Sequence, residues 1–386
     1  MAALSKRSFC AAVLLSLLAG LSACKQPPEP LPNYREYAYV ANGGSNSVTV
    51  IDLRALMVAM TVQVGKSPTG ITANPRKNEI YVANTESDNV SVIDAETNTV
   101  VSTIGVHRAP YSVAVSSDGR RAYVANSGSA NLSVIDLDQR RVIKTVQVGN
   151  GSNIARVSPD GKLAVIALHD EDSVAVVDTG SLTLRAKTKV CRKPVDVTIL
   201  PDSSKAFVAC SESKQVGVVD LRRPGADLLA QLDVGMTPIH IAVKPDGGEV
   251  FVCNYDGSSV SEIITGPNEV NNTFLIGDHP AQALVSADNS VLYVSNFGSN
   301  SLAVYSIDSG KLSGFANTGT GPEALAVSPN QFLLLVVNSG SGSLSVFSLI
   351  DRKGRPLFPA PPALQTMIPL GDGPRSIAVK AFISQR

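Results

Sequence analysis

Tryptophan is absent from the 386 residues, aromatic residues make up only 5%, and there are four histidines. A surface so poor in rings offers little on which unpaired bases could stack, which argues against single-stranded nucleic-acid binding. An excess of charge of either sign is also missing. Lys+Arg and Asp+Glu each number 33, so neither a basic nucleic-acid footprint nor an acidic tail is present. There is no Cys-x-x-Cys-His, which excludes covalent c-type haem attachment by that motif. Past the first 24 residues no apolar run is long enough to span a bilayer as a helix. Against these absences, 44% hydrophobic and 17% charged residues describe a folded, globular chain. Val, Ser, Asn and Gly recur throughout, a mixture suited to many short strands joined by tight turns.

The N-terminus reads as a targeting device. Lys6 and Arg7 form a positive start, and Phe9 to Gly20 is an apolar stretch too short for a transmembrane helix. Leu21-Ser22-Ala23-Cys24 follows and resembles the lipobox of bacterial lipoproteins. In that resemblance the Cys24 thiol is acylated and becomes the mature N-terminus; the alternative is an ordinary signal peptide with an incidental cysteine. Several acyl chains on one residue anchor stably where a single chain would not. Loss of residues 1–23 removes Lys6 and Arg7 and no acid, so the net charge becomes −2. Pro27, Pro28, Pro30 and Pro32 make the next segment an extended spacer. The expected divisions are a signal peptide over 1–23, an acylated cysteine and spacer over 24–36, and a repeat domain over 37–383.

Self-similarity decides the fold. Tyr39-Val40-Ala41-Asn42 recurs from Tyr81 and Tyr123, and in degenerate form from Val165, Phe207, Phe251, Tyr293 and Leu335, at intervals of 42 residues with one of 44. A second landmark, Pro68-Thr69-Gly70-Ile71, returns at Pro110, Pro194, Pro238, Pro280, Pro322 and Pro374, with Ser152 in the remaining slot. Length alone would suggest two or three domains, but a period of about 40–45 residues with several short strands per unit signals a β-propeller. Each unit predicts four strands: A (69–74 in the first), B (79–84), C (90–94) and D (99–104). B is apolar on both faces, and D is polar enough for an outer rim. No helix is expected. The chain enters with B, C and D and leaves with a lone A, so the two ends complete one blade. The expectation is all-β: an eight-bladed propeller, with seven blades as the alternative. About ten extra residues between Asp351 and Met367 read as a surface loop.

The Tyr-Val-Ala-Asn cores, with Asn46 to Asp52 (NSVTVID) and Asp88 to Asp94 (DNVSVID), resemble the YVTN-type β-propeller family across nearly the whole mature chain. The resemblance implies surface-layer, periplasmic and lipoprotein members, mostly binding or scaffolding proteins. Related propellers include lactonases and quinoprotein or haem d1 enzymes. A fold shared by so many activities does not carry one across by itself.

Strand parity places the D–A and B–C loops on one face and the A–B and C–D loops on the other. Most B–C loops are small and polar, as in Asn42-Gly43-Gly44 and Asn296-Phe297-Gly298; His169-Asp170-Glu171-Asp172 breaks the pattern. The D–A loops add Lys66, His107, Arg108, Arg192, Lys193 and His279, and the starts of the A strands add Asp196, His240, Gln282, Glu323 and Arg375. The candidate ligand face is therefore His169, Asp170, Asp172, Arg192, Asp196, His240, His279, Glu323 and Arg375, weighed against drift on solvated loops. His169 with Asp170 and Asp172 has the donor types of a metal half-site, but one loop supplies too few ligands, and a charged surface loop is the preferred reading. His107, His240 and His279 could face the axis together, as a haem or metal in the channel of a haem d1 relative would require; scattered incidental histidines are the preferred reading. No catalytic residues, resident metal or cofactor are expected. Cys191 and Cys210 flank one A–B hairpin and are a candidate disulfide, with three free thiols (including Cys253) as the alternative. The expected role is a binding or scaffold protein of the cell envelope. Its partners would be the lipid membrane, through the anchor, and an envelope protein or polymer, with no nucleic acid. The alternative is a lactonase-like hydrolase using Glu323, Arg375 and His240. The expected state is a monomer in the periplasm or outside the cell. Lys25 after the cysteine, by resemblance to enterobacterial sorting rules, favours the outer membrane.

Overall fold

Residues 33–351, 354–358 and 360–384 are described by the computed structural model. The signal peptide, Cys24 and the spacer as far as Pro32 lie outside the described residues. Alternation of apolar and small polar residues in six-residue runs, cut by Asn, Asp, Gly and Pro, produces strands and nothing else: among the described residues there are 32 strands and no helix. β4 (Pro68–Ala73), β5 (Glu79–Asn84), β6 (Asn89–Asp94) and β7 (Thr99–Gly105) form blade 1 as an antiparallel sheet in the order A, B, C, D. The same order recurs up to β31 (Ala363–Pro369) in blade 7. Blade 8 joins β32 (Pro374–Ile383), as strand A, to β1 (Tyr34–Asn42), β2 (Ser47–Asp52) and β3 (Met57–Gln63). Eight four-stranded blades make the ring, closed by the two chain ends as the repeat count predicts. The first strand begins at Tyr34, three residues before the expected start at Tyr37.

The core is eight wedges between neighbouring sheets. In one, Tyr81, Ala83, Val90 and Val92 of blade 1 pack on Val113, Ala122, Val124 and Ile135 of blade 2. B strands are buried along their length because both faces meet a neighbouring sheet. Closure is pinned by polar groups as well as by packing. The buried Glu36 carboxylate accepts the Asn330 N–H at 3.0 Å and its Nδ2–H at 2.8 Å. Lys380 Nζ donates to the Asn74 carbonyl at 2.7 Å.

Two backbone devices repeat and matter for function. Each B–C turn ends in the left-handed region, at Asn46, Asp88, Ala130, Asp172, Lys214, Ser258, Asn300 and Gly342, and so does each D–A loop at the residue preceding strand A. In addition, strand A carries a bulge at its second residue in most blades, so that Pro68 pairs with Asn84 but Gly70 with Ala83. The extra residue leaves the ladder and its side chain is re-aimed, here toward the channel mouth. The loop expected after Asp351 returns to the body: Ile350 bridges Pro356, and Phe358 packs on the wedge between blades 6 and 7.

Blade 4 departs from its neighbours covalently. In six of the other seven D–A loops a glycine presses on the last residue of the following strand B, as Gly65 on Asn84, Gly235 on Asn254 and Gly277 on Asn296; blade 2 has His107 in that slot. Cys191 occupies the glycine slot and Cys210 the asparagine slot, and the two form a disulfide with Cα atoms 5.7 Å apart. Gly217 stands where the C strands of five other blades carry a hydroxyl for that asparagine (Ala175 and Ala303 fill the slot in blades 3 and 6), and a Cβ there would lie 3.5 Å from Cys191 Sγ. Cys253 is buried and unbonded, and burial pushes its thiol far above the ordinary range.

Candidate functional site

The D–A and B–C loops surround the mouth of the axial channel. A funnel of about 520 Å³ is lined by Ile239, Tyr255, Phe297, Glu323, Ser339 and Arg375, among others. It shares Ile239, Ala281, Glu323 and Arg375 with a deeper space of about 310 Å³ walled by the A strands. Glu323 and Arg375 both sit at the bulged second residue of strand A, in adjacent blades, and this is what turns them into the mouth. Neither makes an ion pair or side-chain hydrogen bond among the described residues. Arg375 is exposed and Glu323 half-buried.

The third residue of strand A does a different job. In five blades its side chain reaches the strand A of the next blade and bonds the backbone there; Gly70, Ile154 and Ala324 fill the slot in the other three. Ser112 Oγ accepts the Ala155 N–H and donates to the Asn153 carbonyl. Asp196 Oδ2 accepts the Ile241 N–H at 3.0 Å. His240 Nδ1 faces the Ala283 N–H at 3.4 Å, Gln282 Oε1 accepts the Leu325 N–H at 2.8 Å, and Ser376 Oγ donates to the Thr69 carbonyl at 2.7 Å. These contacts stitch the inner strands into a ring and satisfy backbone groups that a channel wall would otherwise leave open. Asp196 also meets Arg156 at 3.3 Å and lies 4.0 Å from His240 Nε2. Burial holds the His240 pKa below its ordinary value, against the pull of Asp196, so the ring is neutral at pH 7.

The remaining expected residues divide. Asp172 is a turn residue of the repeat: its carboxylate accepts the Lys193 N–H at 3.0 Å, as Asn46, Asp88 and Asn300 do for the next blade's loop. Arg192 donates to the Glu212 carbonyl at 2.9 Å and is not among the residues lining the funnel or the space below it. His169 and Asp170 pair with each other at 2.8 Å and edge a separate hollow of about 430 Å³ with Tyr111, Ser127 and Asn153. His107 points outward to Thr145 on strand D of blade 2, His240 lies in the channel, and His279 stacks edge-on against Tyr255 at 4.6 Å. The three histidines are therefore not gathered on the axis. Among the described residues no three His, Cys, Asp or Glu side chains are placed to hold a metal.

Tyr255 and Phe297 were not singled out by sequence reasoning, which grouped the Phe297 loop with the small polar ones. Both occupy the slot directly after strand B, which holds Gly43, Thr85, Ser127, Ser211 and Ser339 in other blades. The break from small residues is the signal that would have found them, and it marks His169 as well. Their rings stand 6.2 Å apart and form an aromatic lip beside Glu323, whose charge adds to burial and Asp256 in raising the Tyr255 pKa.

Comparison with known proteins agrees with this architecture. The YNCE-like β-propeller family matches residues 10–325. Among solved structures, dihydro-heme d1 dehydrogenase NirN in complex with DHE superposes with a TM-score of 0.72 at 14% identity, covering 88% of this chain and 74% of that one. A putative 6-phosphogluconolactonase from Bacteroides fragilis gives 0.61 at 15% identity, covering 92% and 100%. Hydrazine synthase of Kuenenia stuttgartiensis gives 0.59 at 22% identity, covering 69% and 91%. At these identities the likeness is one of fold. No curated protein matches the sequence. On its sequence match and its eight closed blades, the chain belongs to the YNCE-like β-propeller family.

Proposed function

We propose that this propeller is a ligand-binding protein of the cell envelope, tethered to a membrane through Cys24, that takes its ligand at the channel mouth. One observation carries the reading. Of the irregular polar residues on this face, Glu323 and Arg375 have no protein partner yet share one funnel with two aromatic rings, whereas Asp172, Arg192, Asp196 and His240 are committed to the scaffold. An unpaired guanidinium beside apolar walls suits an anionic group attached to a flat body. Arg375 holds the anion, Tyr255 and Phe297 flank the body, and Glu323 accepts a hydroxyl or amine. The ligand arrives free or as the end of an envelope polymer. The Cys191–Cys210 bond supports an oxidising, extracytoplasmic setting. Hydrolase chemistry is the weaker reading, because both nitrogens of the His240 ring are turned to the scaffold.

The test is a thermal-shift screen of aryl carboxylates, aryl phosphates and their hydroxylated or aminated forms. A charge-assisted bond of about 1.5–3 kcal/mol makes Arg375→Ala weaken binding about ten- to a hundredfold, with the unliganded melting point unchanged. Shifts that are equal in Arg375→Ala place the ligand elsewhere.

A further inference from the structure

The outer strands of a propeller present an unpaired edge and an open face, and soluble proteins blunt such strands with charge. Strand D of blade 2 carries Arg141 and Lys144, and strand D of blade 3 (Thr183–Lys189) carries Arg185, Lys187 and Lys189. The outer strand of blade 1 (Thr99–Gly105) has no charge but exposes only Val101 among its large apolar residues, and that of blade 4 (Leu228–Asp233) exposes Leu228 and Leu229 beside one charge. Blades 6, 7 and 8 depart furthest from the rule, and they do so as neighbours. Their outer strands, Lys311–Asn317, Ala363–Pro369 and Met57–Gln63, have seven residues each and contain one charge between them, Lys311. They also run side by side. On them lie Leu312 at 40% exposure, Phe315 at 50%, Leu364 at 44%, Met367 at 44%, Met57 at 59% and Met60 at 43%. Together these expose on the order of 500 Å² of apolar surface, at the upper end for a monomer. The expectation of polar outer strands thus fails on one side of the ring.

Three features say what covers this side. The chain enters the ring at Tyr34 in blade 8, at the end where Met57, Leu364 and Leu312 begin or nearly begin their strands. That end is opposite the ligand mouth. The exposed Arg35 and Arg54 stand at the same end of blade 8, with Lys311 in blade 6 and the acidic Asp308 beside it. Eight residues, four of them proline, separate Cys24 from Asn33, and nine residue steps at the reach of a proline-rich chain come to roughly 28 Å. A tether of that length holds the propeller at a high effective concentration against the bilayer. An apolar band rimmed by cations fits the boundary between acyl chains and anionic headgroups.

We infer that the outer strands of blades 6, 7 and 8 seat against a lipid surface containing anionic phospholipid, with Phe315, Leu364, Met367, Met57 and Met60 at the acyl boundary. The side of the ring then faces the membrane, and the channel mouth opens away from the point of attachment. This inference rests on the membrane tether proposed above.

The experiment uses the full chain, purified from the membranes of the expressing cell and incorporated into phosphatidylethanolamine–phosphatidylglycerol vesicles with brominated acyl chains. An environment-sensitive fluorophore is placed at Phe315→Cys, at Leu364→Cys, and at Leu184→Cys on blade 3 as a control. Bromine quenching at least several-fold greater at 315 and 364 than at 184 is expected, and it should fall when phosphatidylglycerol is omitted. Equal quenching at all three sites overturns the inference. So does a blue shift at 315 and 364 without lipid that accompanies dimer formation, which would assign the band to a second copy. Cys24→Ser reads the tether separately by loss of vesicle flotation, so a failed tether and a failed band give different results. A chain that never associates with vesicles overturns both.

Discussion

Replacing Cys191 and Cys210 with serine perturbs one defined link. The disulfide closes a loop between residues 19 apart in sequence. The loop-entropy relation for about 20 residues gives roughly 3 kcal/mol of stability at 25 °C. The propeller, residues 33–386, has an unfolding entropy of roughly 0.7 kcal/mol/K at about 2.1 cal/mol/K per residue, so the melting point should fall by about 4 °C. Reductant should lower the wild type by the same amount and leave the variant unmoved. Because the two cysteines stand in the glycine and asparagine slots of the repeat, Cys191→Gly with Cys210→Asn rebuilds the contact of the neighbouring blades. It does not rescue stability. The amide would find Gly217 in place of the hydroxyl that Thr49, Ser91 or Ser133 provides elsewhere, and a half-satisfied buried amide costs a further ~1–3 kcal/mol. Calorimetry with and without reductant checks both. A serine variant that melts with the wild type, or a Gly–Asn variant that matches it, would refute the reasoning.

His240 titrates below its ordinary value because of burial, so the unfolded chain binds the proton more readily than the fold does. The stability His240 provides is present above about pH 6.5 and is lost as pH falls through the folded value. His240→Gln, which copies Gln282 one blade on, should remove that acid-side loss in pH-dependent denaturant melts; an unchanged profile contradicts the assignment. Asp172→Asn should leave stability within ~0.5 kcal/mol, since Asn46 and Asn300 fill the same slot. Asp172→Val puts a β-branched residue at φ 53° and should cost on the order of 1–3 kcal/mol; a calcium-dependent melting point in the wild type, lost in Asp172→Asn, would revive the metal reading. Ser112→Val leaves the Ala155 N–H and Asn153 carbonyl without their bridge and should cost ~1–3 kcal/mol, measured by urea melts.

The ring was legible because its repeat is written in residues with strong local meaning. The Tyr-Val-Ala-Asn period set the B strands, the Pro-x-x-Ile landmark set the A strands, and the uneven ends declared the closure. The site was legible in part. Glu323 and Arg375 departed from the repeat and do line the mouth. Asp196 and His240 departed equally, yet they serve the scaffold, because position three of strand A turns to its neighbour while the bulged position two turns to the channel. That distinction depends on a register shift no hydrophobic pattern records. As partners across the A–B hairpin the two cysteines are out of register, because Cys210 pairs with Pro194, three residues beyond Cys191. Compared slot by slot, their spacing of 19 equals that of Gly65 and Asn84, and the D–A loop folds back over strand B to bring them together. The apolar outer strands of blades 6, 7 and 8 were missed because each reads as an ordinary strand until the three are set side by side.

The channel mouth as the ligand site is tested most directly by native mass spectrometry of the protein purified gently from its native cells, with Arg375→Ala and Glu323→Gln beside the wild type. The account predicts a bound mass on the wild type that is absent from Arg375→Ala and reduced on Glu323→Gln, all three melting alike. The same bound mass at equal occupancy on all three proteins would contradict it.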